Sequence, residues 1–160
     1  MKAIVYNEYS PEDDFAKILK VQEVDDPKPK SDEVVFQVKA AALNYNDIWG
    51  MRGNPVPVPL PHVSGSDAAG DVIAVGEDVK NIQVGDRVVS HSNMSCRVCK
   101  ACTDGREFDC TKRMIWGFQT GPTWGAFQEV THLPEVNVSK IPEGLSYDDA
   151  AAASMTLLTS

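Results

Sequence analysis

The sequence predicts a mainly β fold with short helices, a barrel or sandwich into which one compact metal-binding lobe is inserted. Three observations lead there. Short runs rich in Val and Ile recur along the chain and are cut off by Gly and Pro. Prolines stand at every second position from Pro55 to Pro61, a spacing that no helix accommodates. All four cysteines lie between Cys96 and Cys110.

Ala3 to Tyr6 reads as the opening strand, and Asp25-Asp26-Pro27-Lys28-Pro29 ends the stretch behind it. Glu33 to Val38 is the next strand. Asp47 reads as the N-cap of a helix running through Trp49, its carboxylate accepting an orphan backbone N–H. Pro55 to Pro61 runs extended across the surface, because proline bars a helix and biases the residue before it the same way. Asp71 to Val75 is a strand closed by the Gly85-Asp86 turn. The cysteine lobe occupies 92–115, and Phe118 to Trp124 follows as a loop that either lines a substrate channel or is plain connection. Ala126 to Leu133 and Val136 to Ile141 read as two further strands. Ser146 and Asp149 make a capping-box-like start to an apolar helix over 150–158. That helix has neither a glycine stop nor a polar end, so a longer protein is expected. Residues 1–145 form its first domain, and 146–160 start the helix into the next.

The cysteines follow C-x2-C-x2-C-x7-C. Four thiolates at Cys96, Cys99, Cys102 and Cys110 complete a tetrahedral shell and leave no position for water, the arrangement of a structural zinc. An iron-sulfur cluster is the competing reading, although the bacterial ferredoxin run closes with x3-C-P and this one does not. Disulfides fit poorly, since MKAIVY carries no export signal, and a cytoplasmic location is expected. Arg97, Lys100, Arg106, Lys112 and Arg113 crowd the same window, either offsetting the thiolate charge or simply solvated. The formal net charge of −8 argues against nucleic acid as a partner. No apolar run approaches the roughly 20 residues that cross a bilayer.

Several motifs taken together carry a family resemblance. They are AALNYNDIWGMRG at 41–53, PHVSGSDAAGDVIAVGEDV at 61–79, VGDRVV at 84–89, the cysteine lobe, GAFQEV at 125–130 and LSYDDAAAASMTLLT at 145–159. In this order the chain resembles the medium-chain dehydrogenase/reductase superfamily, meaning the zinc-containing alcohol dehydrogenases and their quinone oxidoreductase relatives. The resemblance implies a GroES-like, partly open β-barrel carrying the zinc lobe, followed by a Rossmann domain that binds NAD or NADP. No Gly-x-Gly-x-x-Gly follows a strand here, so that second domain is expected beyond residue 160 and the fragment alone is expected to be inactive. A small-molecule substrate and a homo-oligomeric full-length protein are expected with it.

The departures from the family pattern bear on mechanism. Relatives that use a catalytic zinc take ligands from a Cys, from the His of a G-H-E motif, and from a Cys or Asp near the end of this domain. The matching positions here are Asn44, Ser66 in Gly65-Ser66-Asp67, and Met155. Amide, hydroxyl and thioether are poor ligands for zinc. A catalytic zinc is therefore not expected, short of an unconventional site built on Asp67 and a histidine. Zinc-independent relatives carry a segment similar to Leu43-Asn44-Tyr45-Asn46-Asp47, which the resemblance places beside the nicotinamide pocket. By that analogy Asn44 and Tyr45 hydrogen-bond the substrate and Thr159 contacts the cofactor. Tyr45 is equally readable as a packed aromatic. The segment is also similar to crotonyl-CoA reductases.

His62, His91 and His132 read as hydrogen-bonded structural residues, with His91 placed where it can face a cleft. Trp49, Trp116 and Trp124 read as core or cleft-wall aromatics. Two function classes remain open. One is a hydride-transferring NAD(P)-dependent oxidoreductase, a quinone or enoyl-thioester reductase or else a zinc-dependent alcohol dehydrogenase. The other is a zinc-stabilised GroES-like module that binds without chemistry.

Overall fold

The computed structural model describes residues 1–158. The chain runs β1 (Lys2–Val5), α1 (Phe15–Ile18), β2 (Lys20–Glu23), β3 (Glu33–Ala42), α2 (Tyr45–Arg52), β4 (Asp67–Val75) and β5 (Arg87–Ser90). It continues with β6 (Asn93–Met94), α3 (Lys100–Thr103), β7 (Met114–Ile115), β8 (Val130–Pro134), β9 (Val138–Lys140) and α4 (Tyr147–Leu158). Strands β8-β3-β4-β5-β9 form one antiparallel sheet, while β1-β2 and β6-β7 are separate pairs. Register shifts at Val35/Phe36 and Val38/Ala40 interrupt the β3-β4 ladder, as bulges that bend a sheet do. Isolated bridges Ala3–Gln128 and Tyr6–His62 then tie β1 to the curled sheet, giving a partly open barrel.

The core follows from the sequence pattern. Val34, Phe36, Val72, Val88 and Leu133 bury against Trp116 inside the sheet's curve. On the outside, Ala150 and Ala151 of α4 pack on Ala69 and Ile141, small side chains that let the helix approach β3, β4 and β5 closely. A second cluster of Tyr6, Met51, Val58 and Phe118 seats α2 against the proline stretch. Residues 55–61 are non-helical and mostly exposed, as the alternating prolines require.

The mainly β class with short helices and an inserted cysteine lobe is as the sequence predicts; several boundaries differ. The strand paired in the main sheet begins only at Val130: Ala126 and Phe127 donate to the carbonyls of Gly65 and Ser64, and the Phe127 carbonyl and Glu129 N–H bond to β1. Gln128 and Thr131 side chains take up the Gly125 carbonyl there. The last strand begins only at Val138, behind a 3-10 turn at Glu135–Asn137. The Glu135 carboxylate anchors that turn by accepting the Lys80 and Asn81 N–H groups. The N-cap of α2 is Asn44 rather than Asp47. Asp47 sits one turn in and accepts the Asn44 N–H at 2.8 Å, so it satisfies the helix start from inside. Ser146 does cap α4, accepting the Asp149 N–H at 3.0 Å.

Candidate functional site

Three elements bring their ends together at the mouth of the sheet: the start of α2, the turn into β4, and the middle of α4. Asn44 donates its amide to Asp67 Oδ2 at 2.7 Å, and the Met155 N–H donates to Asp67 Oδ1 at 2.9 Å. Asn46 donates to Ser66 Oγ at 2.8 Å, with Met155 Sδ at 4.0 Å from the same amide nitrogen. The positions matched to metal ligands thus converge, and their side chains are linked to one another through Asn46 and Asp67. Behind them Asp47 accepts the Gly65 N–H at 3.0 Å and fixes the turn that presents Ser66. Gly117 allows this turn to sit where it does. A Cβ there would lie 1.8 Å from the Gly65 carbonyl oxygen, at a φ of 73° that disfavours any side chain.

Both carboxylates are shielded from water, and burial pushes each up from its ordinary value. For Asp47 the result is about 6, against the pull of the Asn44 and Gly65 N–H groups.

Two cavities meet this cluster. The larger, about 880 Å³, is bordered by Asn46 and Met155 together with Trp49, Phe118, His91 and Asn93. The smaller, about 470 Å³ and almost wholly apolar, is bordered by Asn44 and Tyr45 with Leu43, Ile48 and Phe127. Asn44 therefore stands in the hydrogen-bonded cluster. Tyr45 is 60% exposed, packs edge-on against Trp49, and receives a long hydrogen bond from Arg52 at 3.3 Å. Thr159 lies outside the described residues. Sequence reasoning passed over Asn46, the second polar residue of the L-N-x-x-D segment. Its place at the first turn of α2, between Asn44 and the buried Asp47, is the signal that marks it.

The histidines separate once their partners are known. His62 is fully buried with its ring nitrogens 3.1 Å from the Pro59 and Gly117 carbonyls; burial lowers its pKa, and the neutral ring donates to one of the two. His132 stacks on Trp124 at 5.1 Å near the buried Glu33, and desolvation lowers its pKa as well. His91 lines the larger cavity. Trp116 is core, while Trp49 and Phe118 form the cleft wall.

The lobe brings its four cysteines together as free thiols, all Sγ atoms within 4.8 Å of one another. Sγ separations are 3.9 Å for Cys96–Cys102 and 3.5 Å for Cys99–Cys102. A tetrahedral ion with ligands at about 2.3 Å holds its sulfurs about 3.8 Å apart, so the residues fit a single ion of that kind. Backbone N–H groups of Val98 and Cys99 aim at Cys96 and draw its thiol down to about 6, toward the thiolate that a metal requires. The basic residues of the window mostly pair on the lobe's surface, Arg97 with Glu107, Lys100 with Asp104 and Arg106 with Asp109. Arg113 donates to the Phe108 carbonyl. Among the described residues no helix is long and apolar enough to cross a membrane.

Residues 30–143 match the family model of the alcohol dehydrogenase GroES-like domain. The chain is similar to a crotonyl-CoA carboxylase/reductase of Cereibacter sphaeroides, 36% identical over 147 residues that make up 88% of this chain and 34% of that protein. It is also similar to an alcohol dehydrogenase of Geobacillus stearothermophilus, 33% identical over 91% of this chain and 41% of the relative. Among solved structures, an NAD-dependent alcohol dehydrogenase superposes with a TM-score of 0.90 and 38% identity, over 99% of this chain and 45% of that one. The chain thus spans less than half the length of each of these proteins.

Proposed function

The chain belongs to the alcohol dehydrogenase GroES-like domain family, and from that premise we propose that it is the substrate-side domain of a longer NAD(P)-dependent oxidoreductase. In this reading a nicotinamide-binding domain follows residue 160, and the parent transfers hydride to an enoyl-thioester or a quinone. Cys96, Cys99, Cys102 and Cys110 hold one structural zinc. The protein works in the cytoplasm, where those thiols stay reduced, as a homo-oligomer acting on a small molecule and not on nucleic acid.

One observation carries the choice of reaction. The positions that the resemblance matches to a catalytic metal's ligands are an amide, a hydroxyl and a thioether, at Asn44, Ser66 and Met155, and they gather in one hydrogen-bonded cluster. Ser66 Oγ accepts from Asn46, and both Asp67 oxygens accept from Asn44 and Met155. Such a donor set does not fit zinc, so no step runs through a metal here. What the cluster can do is orient polar groups of an acceptor. Asn44 and Tyr45 are proposed to hydrogen-bond the substrate, and Thr159 to meet the cofactor. A nicotinamide, when bound, supplies the hydride; the domain's part is to position the acceptor and to offer donors where negative charge develops. The relationship to a crotonyl-CoA carboxylase/reductase supports the enoyl-thioester over the quinone.

The test is a substrate panel with the intact parent, using NADH and NADPH against an enoyl-CoA, a quinone and simple alcohols. Turnover of an enoyl-CoA that survives a chelator treatment too mild to empty the four-thiolate site is the expected result. Turnover confined to alcohols, lost at once on chelation while circular dichroism stays unchanged, would restore a zinc-dependent alcohol dehydrogenase.

A further inference from the structure

Helix α2 divides the two cavities between its faces. Tyr45, Ile48 and Met51 recur at intervals of three, so they share a face, and that face lines the smaller cavity. Asn46 and Trp49 lie on the next face and border the larger one. The smaller cavity runs from an exposed rim to a buried floor. Leu43, Tyr45 and Ile4 stand at the rim, 81%, 60% and 42% exposed, while Tyr6 and Met51 are buried at the bottom. Ile48 and Leu19 are half-buried walls between them.

The polar groups around this floor are committed within the fold. Tyr6 Oη and Ser64 Oγ share a hydrogen bond at 3.3 Å, and the Asp47 carboxylate accepts the Asn44 and Gly65 N–H groups. A polar ligand group would gain little there in exchange for its water, whereas a hydrocarbon gains by leaving water. The larger cavity is the poorer host for a hydrocarbon, since Arg97, Glu107 and Arg113 border it. Asn44 and Tyr45, the residues assigned to the acceptor's polar end, border the smaller cavity. At roughly 30 Å³ for each water-sized group, its 470 Å³ fills with at most about fifteen carbons, far more than a crotonyl group needs. The rim is open, so a chain that takes up about half of that space, roughly eight carbons, is the expected length.

We propose that the apolar cavity beside Asn44 and Tyr45 takes the alkyl chain of a 2-enoyl-thioester about as long as an octenoyl group, and that Ile48 sets the chain length accepted. The inference rests on reading Asn44 and Tyr45 as the acceptor's polar contacts. The thioester stays at the rim, and the chain passes between Ile48 and Leu19 toward Met51. The cavity contributes binding and choice of substrate, and no bond is made or broken in it.

The experiment measures kcat/KM of the intact parent for a series of enoyl-CoAs from crotonyl-CoA to 2-dodecenoyl-CoA. Each methylene buried is worth about fourfold, so octenoyl-CoA should be preferred to crotonyl-CoA by about two hundredfold. Ile48→Phe, which narrows the cavity, should cut that preference at least about tenfold, and Ile48→Ala should move the optimum to longer chains. Looser packing alone would lower all lengths together and leave the ratio as it was, which would overturn the role of Ile48. Leu19→Phe narrows the cavity from another wall if Ile48→Phe does not fold. A readout without turnover is the 13C-methyl resonance of methionine. Octanoyl-CoA, which has no double bond to reduce, should shift Met51, on the floor, and butyryl-CoA should not. A shift at Met155, which borders the larger cavity, with Met51 unmoved would put the chain elsewhere and overturn the proposal. Crotonyl-CoA reduced as well as every longer homologue would also overturn it, while leaving the reductase reading standing. A parent that reduces no enoyl-CoA of any length would overturn this inference together with the enoyl-thioester reading.

Discussion

Replacing Asn44 by Ala separates two roles that the geometry superimposes. The amide of Asn44 donates at 2.7 Å to Asp67, a carboxylate with no exposed surface. The Met155 N–H also donates to it, at 2.9 Å. Removing the amide takes a hydrogen bond from a buried acidic group, at a cost of about 1.5–3 kcal/mol. For a domain of this size that lowers the melting temperature by roughly 3–12 °C. If Asn44 only supports Asp67, the variant loses stability and little else. If it also orients the acceptor near developing oxyanion charge, kcat falls about a hundredfold to a thousandfold as well. We expect both effects, with zinc content unchanged. Thermal melting and steady-state kinetics on the intact parent decide. A lower melting temperature with kcat within threefold of the parent would refute the substrate role and leave Asn44 as a strut.

Asp47 gives a pH signature. Burial holds its folded-state pKa at about 6 against 3.8 for the free carboxyl, so the folded domain keeps this proton longer than the unfolded chain does. Stability is fully present below about pH 4 and declines as pH rises through about 6, by up to about 3 kcal/mol. Asp67 is raised in the same direction. Urea unfolding of Asp47→Asn should lose most of this slope between pH 4 and 6.5, and a slope equal to the parent's counts against burial as its cause. Metal analysis of the parent should return about one zinc per chain. Cys99→Ser should expose the lobe to protease while the five-stranded sheet persists by circular dichroism, since structural zinc is worth roughly 10–16 kcal/mol in small peptides. Retained zinc and unaltered proteolysis in that variant would end the structural assignment. Residues 1–160 alone should show no micromolar NADH or NADPH binding by calorimetry, because no described turn cradles a pyrophosphate; such binding would place the cofactor site within this chain.

The parts of the fold that were legible in the sequence are those set by local chemistry. Proline alternation kept 55–61 out of a helix, Val and Ile runs marked β1, β3 and β4, and Ser146 with Asp149 marked the start of α4. The cysteine spacing alone foretold a cluster of four sulfurs. The failures came where tertiary partners replace ladder partners. Ala126 and Phe127 have strand composition, yet their N–H groups bind the turn at Ser64 and Gly65. Asp47 and Asn44 are both good caps, and the buried Gly65 N–H draws Asp47 inward and leaves the cap position to Asn44.

The ligand positions illustrate why such a site changes as a set. A lone Asn in place of a thiolate beside an intact zinc site would face a cation with an amide, and a lone Met would leave a soft, neutral donor there. In this chain the three positions are met by neighbouring polar groups. The Asn44 amide has Asp67 to donate to, the Ser66 hydroxyl receives Asn46, and the Asp67 carboxylate is closed off by the Met155 backbone. Asp67 and Asn46 supply the partners for these side chains, so the start of α2, the turn into β4 and the middle of α4 are tied together by hydrogen bonds. Restoring one ligand alone would break a pair and leave a buried polar atom unmet, a cost of about 1–3 kcal/mol.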